Sequence, residues 1–222
     1  MPTHTVDSRY AWFRLSVTLL LMTIGSGAMY VIAVVLPSVQ AEFGVARADA
    51  STPYTLMMIG FGFGGVLMGR LADRFGVMVP ALIGAVGLGA GFFAAAHAGS
   101  IWAFGLAHGV LLGLLGSSAT FSPLVADTSL WFVRRRGIAV AICASGNYVA
   151  GAIWPPVVQH FVETAGWRQT YIGLGIFCLV TMPLLALLLR ARPPAMVATG
   201  AASTAPAGSA RPVGLALGGR RA

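Results

Sequence analysis

A run of 52 residues, from 75 to 126, contains no Asp, Glu, Lys or Arg. One helix crossing about 30 Å of hydrocarbon, at about 1.5 Å per residue, needs far fewer residues than this. The polar residues 97–100 divide the run into two parts. Of the whole chain 57% is apolar and 9% charged, with a mean hydropathy of +0.83. We therefore predict an all-α protein whose main partner is the lipid bilayer.

Charged or polar connections separate six apolar segments. We predict a cytoplasmic amino terminus at residues 1–14 and a six-helix transmembrane domain at residues 15–189. Residues 190–222, rich in Ala, Ser, Thr, Pro and Gly, are predicted to be a disordered cytoplasmic tail or the start of a central linker. The predicted spans are residues 15–36, 54–69, 77–96, 101–125, 138–158 and 170–189.

The arginines predict the orientation of the spans. With a cytoplasmic amino terminus, twelve of the fourteen basic residues lie inside the cell and only Arg47 and Arg168 lie outside. Because basic residues concentrate on the cytoplasmic side, both termini are predicted to be cytoplasmic, in a bacterial inner (plasma) membrane. The net charge of +8 does not indicate nucleic-acid binding, since the arginines lie in short loops rather than on one soluble face.

The connection after the second predicted span, residues 69–76, has the sequence G-R-L-A-D-R-F-G. Gly69 and Gly76 predict a tight turn, Asp73 can accept hydrogen bonds from a helix start, and Arg70 and Arg74 can face the membrane surface. This spacing resembles the signature loop between helices 2 and 3 of the major facilitator superfamily of secondary transporters.

Two further loops carry the same resemblance. Residues 131–139, W-F-V-R-R-R-G-I-A, contain Arg134, Arg135 and Arg136 and resemble the W-F-x-x-R-R-G-x-A loop of the monocarboxylate and oxalate/formate branches. The sequence G-W-R at residues 166–168 resembles the loop before helix 6. The resemblance implies one six-helix half of a major facilitator fold, the amino-terminal half, built as a 3+3 inverted repeat.

This resemblance implies a secondary active transporter that moves a small solute, with an organic acid as the expected class, by alternating access. The second half is expected to come from a separate chain or from a homodimer. Two alternatives stay open: a truncated or half-size fragment without autonomous transport, or a membrane assembly partner. The signature loop, Asp127 at the end of helix 4, and the turn with Arg134, Arg135 and Arg136 are expected to act in gating. Arg70 or Arg74 is expected to pair with Asp127. Simple solvation of these charges is the alternative.

The resemblance also implies a substrate cavity lined mainly by helices 1 and 4, with helices 2 and 5 beside them. His108 is of special interest, because an imidazole can titrate near neutral pH and couple protons to the substrate; hydrogen bonding to a neighbouring helix is the alternative. No charged residue is expected within the spans, apart from their termini. The candidate cavity residues are Ser26, Tyr30, His108, Ser117, Asn147 and Tyr148.

The residue pattern does not indicate an enzyme, a metal site or a cofactor. Ser117 and His108 lie nine residues apart on one predicted helix, too far for a nucleophile and its base. No H-E-x-x-H sequence occurs. Cys143 and Cys178 fall in apolar segments and are predicted to be packing residues.

Overall fold

The computed structural model describes residues 6–191 of the chain. Six helices in that part of the chain are long and apolar enough to cross a membrane. We call them spans one to six: Arg9–Phe43, Arg47–Phe75, Met78–Ala96, Ile101–Trp131, Arg136–Ala165 and Trp167–Leu188. The same part of the chain contains no strand, which confirms the predicted all-α, six-helix class. Residues 192–222, most of the predicted tail, lie outside the described residues.

Each span packs mainly on one or two others. Span one packs mainly on span five, span two on span four, and span three on spans four and six. Because successive spans alternate in direction, the starts of spans one, three and five and the ends of spans two, four and six share one membrane face. That face carries the signature loop and the arginine-rich turn.

Two glycines end long helices in the same backbone conformation. Gly76 follows span two with φ 85° and ψ 166°, and Gly166 follows span five with φ 84° and ψ 157°. Residues that carry a Cβ avoid this region, so glycine is required at both turns. The next span begins within two residues of each glycine.

The signature sequence is helical over most of its length. Span two continues through Gly69 to Phe75, so our prediction that both glycines shape the turn was wrong for Gly69. A Cβ added at Gly69 would meet nothing within 4 Å. Because charged side chains are solvated in the headgroup region, the helix extends beyond the hydrocarbon until Gly76 reverses the chain.

Span two also starts earlier than the sequence predicted. We expected it to start at residue 54, but the helix begins at Arg47 and Pro53 lies inside it. Pro155 and Pro156 likewise lie inside span five, which continues to Ala165. Proline is tolerated within membrane helices because neighbouring helices and polar groups satisfy the freed carbonyls. None of these three prolines therefore begins or ends a helix.

Spans one and four are not regular α-helices throughout. Span one consists of helices Arg9–Gly25 and Gly27–Phe43, which meet at Ser26. Span four begins as an α-helix and then contains a π-helix at Ala107–Gly116 and a 3-10 turn at Ser117–Thr120. A second α-helix, Ser122–Trp131, completes it. Such irregular segments in membrane proteins occur where they are buried in protein or line a cavity.

Glycines bring the backbones of spans two and four into contact. A Cβ on Gly60 would lie 2.0 Å from the carbonyl oxygen of Gly109, and one on Gly113 would lie 2.5 Å from the carbonyl oxygen of Met57. A Cβ on Gly64 would likewise lie 2.3 Å from the carbonyl oxygen of Leu114. The small-residue stripe of span four is therefore a packing surface, as small residues are in other membrane helix pairs.

Spans two and five leave broad apolar faces uncovered. In each, 22% of the most apolar stretch is buried within the chain, against 56% in spans three and four. Phe63 on span two is 72% exposed, and Tyr148 on span five is 76% exposed. These faces contact either lipid or another protein surface.

Candidate functional site

Arg14 and Asp127 form a buried ion pair where span one begins and span four ends. Arg14 Nε donates to Asp127 Oδ2 at 3.0 Å, and Nη2 donates to Oδ1 at 3.1 Å. The third nitrogen, Nη1, donates to the carbonyl oxygen of Leu189 at 3.0 Å. The guanidinium carbon also lies 4.7 Å from the ring centroid of Trp131. One side chain thus joins the ends of spans one, four and six.

This pair corrects two expectations. Asp127 is bound by Arg14 rather than by Arg70 or Arg74, both of which are exposed. Arg14 and Asp127 also lie near the ends of spans one and four and are 2% and 7% exposed, whereas both were predicted to lie outside the spans. The amino terminus was predicted to extend to residue 14 and the fourth span to end at residue 125, because the helices were predicted to be shorter than they are.

Asp73 and Arg74 lie at the end of span two, next to the pair. With Gly76 and Asp127 they line a cavity of about 320 Å³ between the ends of spans two and four. Within residues 6–191 the Asp73 carboxylate accepts no hydrogen bond and forms no ion pair. The signature carboxylate is therefore available to a group outside the described bundle.

The opposite end of the bundle is joined by Glu42. Its two carboxylate oxygens accept from Trp167 Nε1 and Arg168 Nη2, each at 2.6 Å. Arg168 also donates to the backbone carbonyls of Ala96, the last residue of span three, and of Ala98 in the connection that follows. Spans one, three and six are thereby tied together. The sequence had indicated Trp167 and Arg168 only through their resemblance to a loop, and Glu42 was missed because its partners lie 125 and 126 residues away.

The arginine-rich turn lies on the same face as the signature loop. Arg134, Arg135 and Arg136 are all exposed, and Arg136 Nε donates to the carbonyl oxygen of Phe132 at 3.2 Å. The carboxylate of Asp7, which the sequence analysis did not single out, accepts from backbone N–H groups of this turn. The turn is thus held by the start of the chain.

His108 is fully buried between spans four and six. Its Nδ1 lies 2.8 Å from the carbonyl oxygen of Phe104, and its Nε2 lies 3.2 Å from the hydroxyl oxygen of Tyr171. The ring also packs against Phe104, with centroids 4.2 Å apart. His108 therefore bridges two helices instead of facing a cavity, which was the alternative considered from the sequence.

Two of the predicted cavity serines also lie inside the bundle. Ser117 Oγ donates to the carbonyl oxygen of Gly25 at 2.9 Å and so joins spans four and one. Ser26 is 3% exposed at the junction within span one. Both residues lie where the two helices pack closely, so neither lines an open space in this conformation.

The remaining candidates lie on spans one and five. Tyr30 is half-buried, and its ring lies against Gly151, where an added Cβ would come within 2.8 Å. Asn147 is half-buried, and its buried Oδ1 has no hydrogen-bond partner among residues 6–191. Tyr148, by contrast, points outward, because it lies on the uncovered face of span five. The structure therefore leaves Tyr30, on span one, and Asn147, on span five, as the half-buried polar candidates.

Residues 18–220 of the sequence match the model of the Major Facilitator Superfamily. The chain belongs to the major facilitator superfamily. Curated relatives include monocarboxylate transporter 6 of Mus musculus, 29% identical over 81% of this chain and 39% of the relative. Monocarboxylate transporter 11 of Homo sapiens is 25% identical over 100% of the chain and 46% of the relative. An uncharacterized MFS-type transporter, YhjX of Escherichia coli (strain K12), is 26% identical over 78% and 43%.

The chain spans less than half the length of these curated relatives. It is an integral multi-pass membrane protein of the superfamily, related to the monocarboxylate branch. The resemblance found in the signature loop and in the arginine-rich turn is confirmed at this level.

This superfamily member also has an apolar cavity outside the predicted site. The cavity has a volume of about 490 Å³ and lies between spans five and six, with Trp154, Phe161 and Phe177 among its lining residues. None of the six predicted cavity residues lines it. Within residues 6–191 no group of three or more His, Cys, Asp or Glu residues is placed to hold a metal ion.

Proposed function

We propose that this chain forms the amino-terminal half of a secondary active transporter that moves a small organic acid across the membrane by alternating access. The observation that carries the proposal is that the bundle is tied at both ends. Arg14 and Asp127 join three spans at one face, and Glu42 and Arg168 join three elements at the other. A bundle tied in this way moves as one rigid unit.

Alternating access in this superfamily is largely a rocking of one helix bundle against another. A rigid bundle can rock only against a surface that is not buried in its own core. Spans two and five supply such a surface, since their exposed apolar faces include Phe63 and Tyr148. We assign these faces to contact with a second half, supplied by another chain or by a second copy in the same orientation.

Asp73 is assigned the gating role at this surface. Its carboxylate is exposed and has no partner among the described residues, although Arg74 is its neighbour. An ionised carboxylate is stabilised by the free N–H groups of a helix start. We propose that Asp73 binds such a helix start of the second half in one state and releases it in the other.

The substrate class is proposed from the relatives and from two side chains. Two of the relatives described above are monocarboxylate transporters by name. Asn147 and Tyr30 carry an amide and a hydroxyl that can donate hydrogen bonds to a carboxylate. The proposal includes cotransport with a proton, and it places both termini in the cytoplasm of a bacterial inner membrane because of the arginine bias.

Uptake by the purified chain in liposomes tests this proposal. Short radiolabelled monocarboxylates are offered with and without an inward proton gradient, with a neutral sugar and a cationic drug as controls. We expect uptake of a monocarboxylate, increased by the gradient and reduced in Asn147→Ala. Absence of uptake of any acid by a dimeric or larger particle would contradict the proposal and favour a role in membrane assembly.

A further inference from the structure

A positively charged cleft lies where the start of the chain meets the turn between spans four and five. Its volume is about 390 Å³, and Asp7, Trp12, Arg134 and Arg135 line it. Both arginine side chains are exposed, and within residues 6–191 neither guanidinium group donates a hydrogen bond or forms an ion pair. Two unpaired guanidinium groups in one cleft indicate a ligand with negative charge.

Asp7 holds the backbone of this turn in place. Its N–H donates to the carbonyl oxygen of Trp131 at 3.0 Å. Its Oδ2 accepts from the N–H groups of Val133 and Arg134 at 3.3 and 3.1 Å. Asp7 has a φ of 56°, a left-handed conformation that aspartate adopts more readily than most residues. Its carboxylate thus bonds to the backbone of the turn, and the two arginines are presented by a fixed loop.

Exposed apolar side chains follow closely in the sequence on the residues that line the cleft. Phe13, Val133 and Ile138 are 51%, 50% and 59% exposed. Trp12 packs edge-on against Phe132, with ring centroids 5.0 Å apart, in the position that aromatic residues favour at a membrane interface. Cations in a cleft beside exposed apolar surface match a molecule with an anionic head and hydrocarbon chains.

We propose that this cleft binds the headgroup phosphate of an anionic phospholipid, with Arg134 and Arg135 as its ligands and Asp7 as the positioning residue. The free N–H groups at the start of span five, at Arg136, add to the attraction for the phosphate. The proposal does not depend on the transported substrate. It differs from the orienting effect of loop arginines, which needs positive charge but no defined geometry.

Native mass spectrometry of the full chain in detergent tests the site, with phosphatidylglycerol as the probe and phosphatidylcholine as the reference lipid. We expect the chain to bind phosphatidylglycerol at least about tenfold more tightly than phosphatidylcholine. The double variant R134Q/R135Q should lose this preference. The control R70Q/R74Q removes two exposed arginines from the same membrane face, away from the cleft, and should keep it.

Two further variants separate geometry from charge. R134K/R135K keeps the charge but not the planar fork, so it should bind phosphatidylglycerol more weakly than the unmodified chain while its orientation stays the same. Asp7→Ala should weaken binding because the turn loses its acceptor, whereas Asp7→Asn keeps an acceptor and tolerates the left-handed conformation. These variants also serve if R134Q/R135Q fails to fold, as circular dichroism would reveal.

Two results would overturn the proposal. One is an equal loss of phosphatidylglycerol in R134Q/R135Q and R70Q/R74Q, which would mean that diffuse surface charge holds the lipid. The other is displacement of phosphatidylglycerol by inorganic phosphate together with arginine-dependent binding of phosphate alone, which would assign the cleft to a soluble anion.

Discussion

The side chains of Arg14 and Asp127 make a two-point ion pair across 113 residues of sequence. Both are almost completely buried, and the same guanidinium donates to the carbonyl oxygen of Leu189, directly after span six. The attraction within a buried pair of this kind adds little to the free energy of unfolding. Removing one partner nevertheless destabilises the fold strongly, because it leaves the other charge buried and uncompensated. Removal of one partner therefore offers a direct test of what joins the spans.

Replacing Arg14 by Gln should destabilise the chain by roughly 3–5 kcal/mol, because it leaves Asp127 as an uncompensated buried charge. Arg70→Gln, at an exposed arginine on the same face, should change stability far less. The double variant R14Q/D127N should recover part of the loss. Denaturant unfolding of the chain in detergent, followed by circular dichroism, measures all three. Equal losses in Arg14→Gln and Arg70→Gln would show that the pair does not hold the spans.

Gly60→Ala should destabilise the chain by about 1–3 kcal/mol, because the new methyl group would overlap the carbonyl oxygen of Gly109. Gly62→Ala is the matched control, since it lies on the same helix and nothing lies within 4 Å of an added Cβ. The control should be neutral or slightly stabilising, because alanine favours helix over glycine. The same unfolding assay compares them, and equal effects would argue against backbone contact between spans two and four.

Tyr171→Phe removes the hydroxyl group that lies 3.2 Å from His108 Nε2 and leaves the ring in place. We expect a loss of about 0.5–1.5 kcal/mol in the free energy of unfolding, the value of one buried hydrogen bond. Tyr148→Phe removes a hydroxyl from a side chain that is 76% exposed and should have no measurable effect. If Tyr171→Phe were as stable as the unmodified chain, His108 would not be bridging spans four and six.

Asp73→Asn should leave stability within about 0.5 kcal/mol, because the carboxylate is exposed and unpaired in the described bundle. Under the proposed gating role it should lower the rate of uptake at least about tenfold. Asp49→Asn, at an exposed carboxylate near the opposite end of span two, is the control and should transport normally. An undiminished rate in Asp73→Asn would remove Asp73 from the gate.

The number of spans could be predicted from the sequence because charge-free stretches of sufficient length have few other folds. Their ends could not be predicted as well. Span two continues to Phe75 through three charged residues, because a helix can extend beyond the hydrocarbon, where water solvates charged side chains. Only Gly76, with its positive φ, forces the end of the helix.

The partners of the buried polar groups could not be predicted from the sequence, for a different reason. His108 binds Tyr171, 63 residues away, and Arg14 binds Asp127, so each pair exists only once the helices are arranged. The helices are apolar on all sides, so polarity does not show which side of a span faces protein. For that reason Tyr30 and Tyr148 looked equivalent in the sequence, although one is half-buried and the other exposed.

Gly76 and Gly166 occupy corresponding places, each after the second span of a three-helix unit, and their dihedral angles differ by less than 10°. One of these turns faces one side of the membrane and the other faces the opposite side. The same turn therefore forms on either side of the membrane. A single ancestral three-helix unit, duplicated and inverted, would need no new type of turn to build this half.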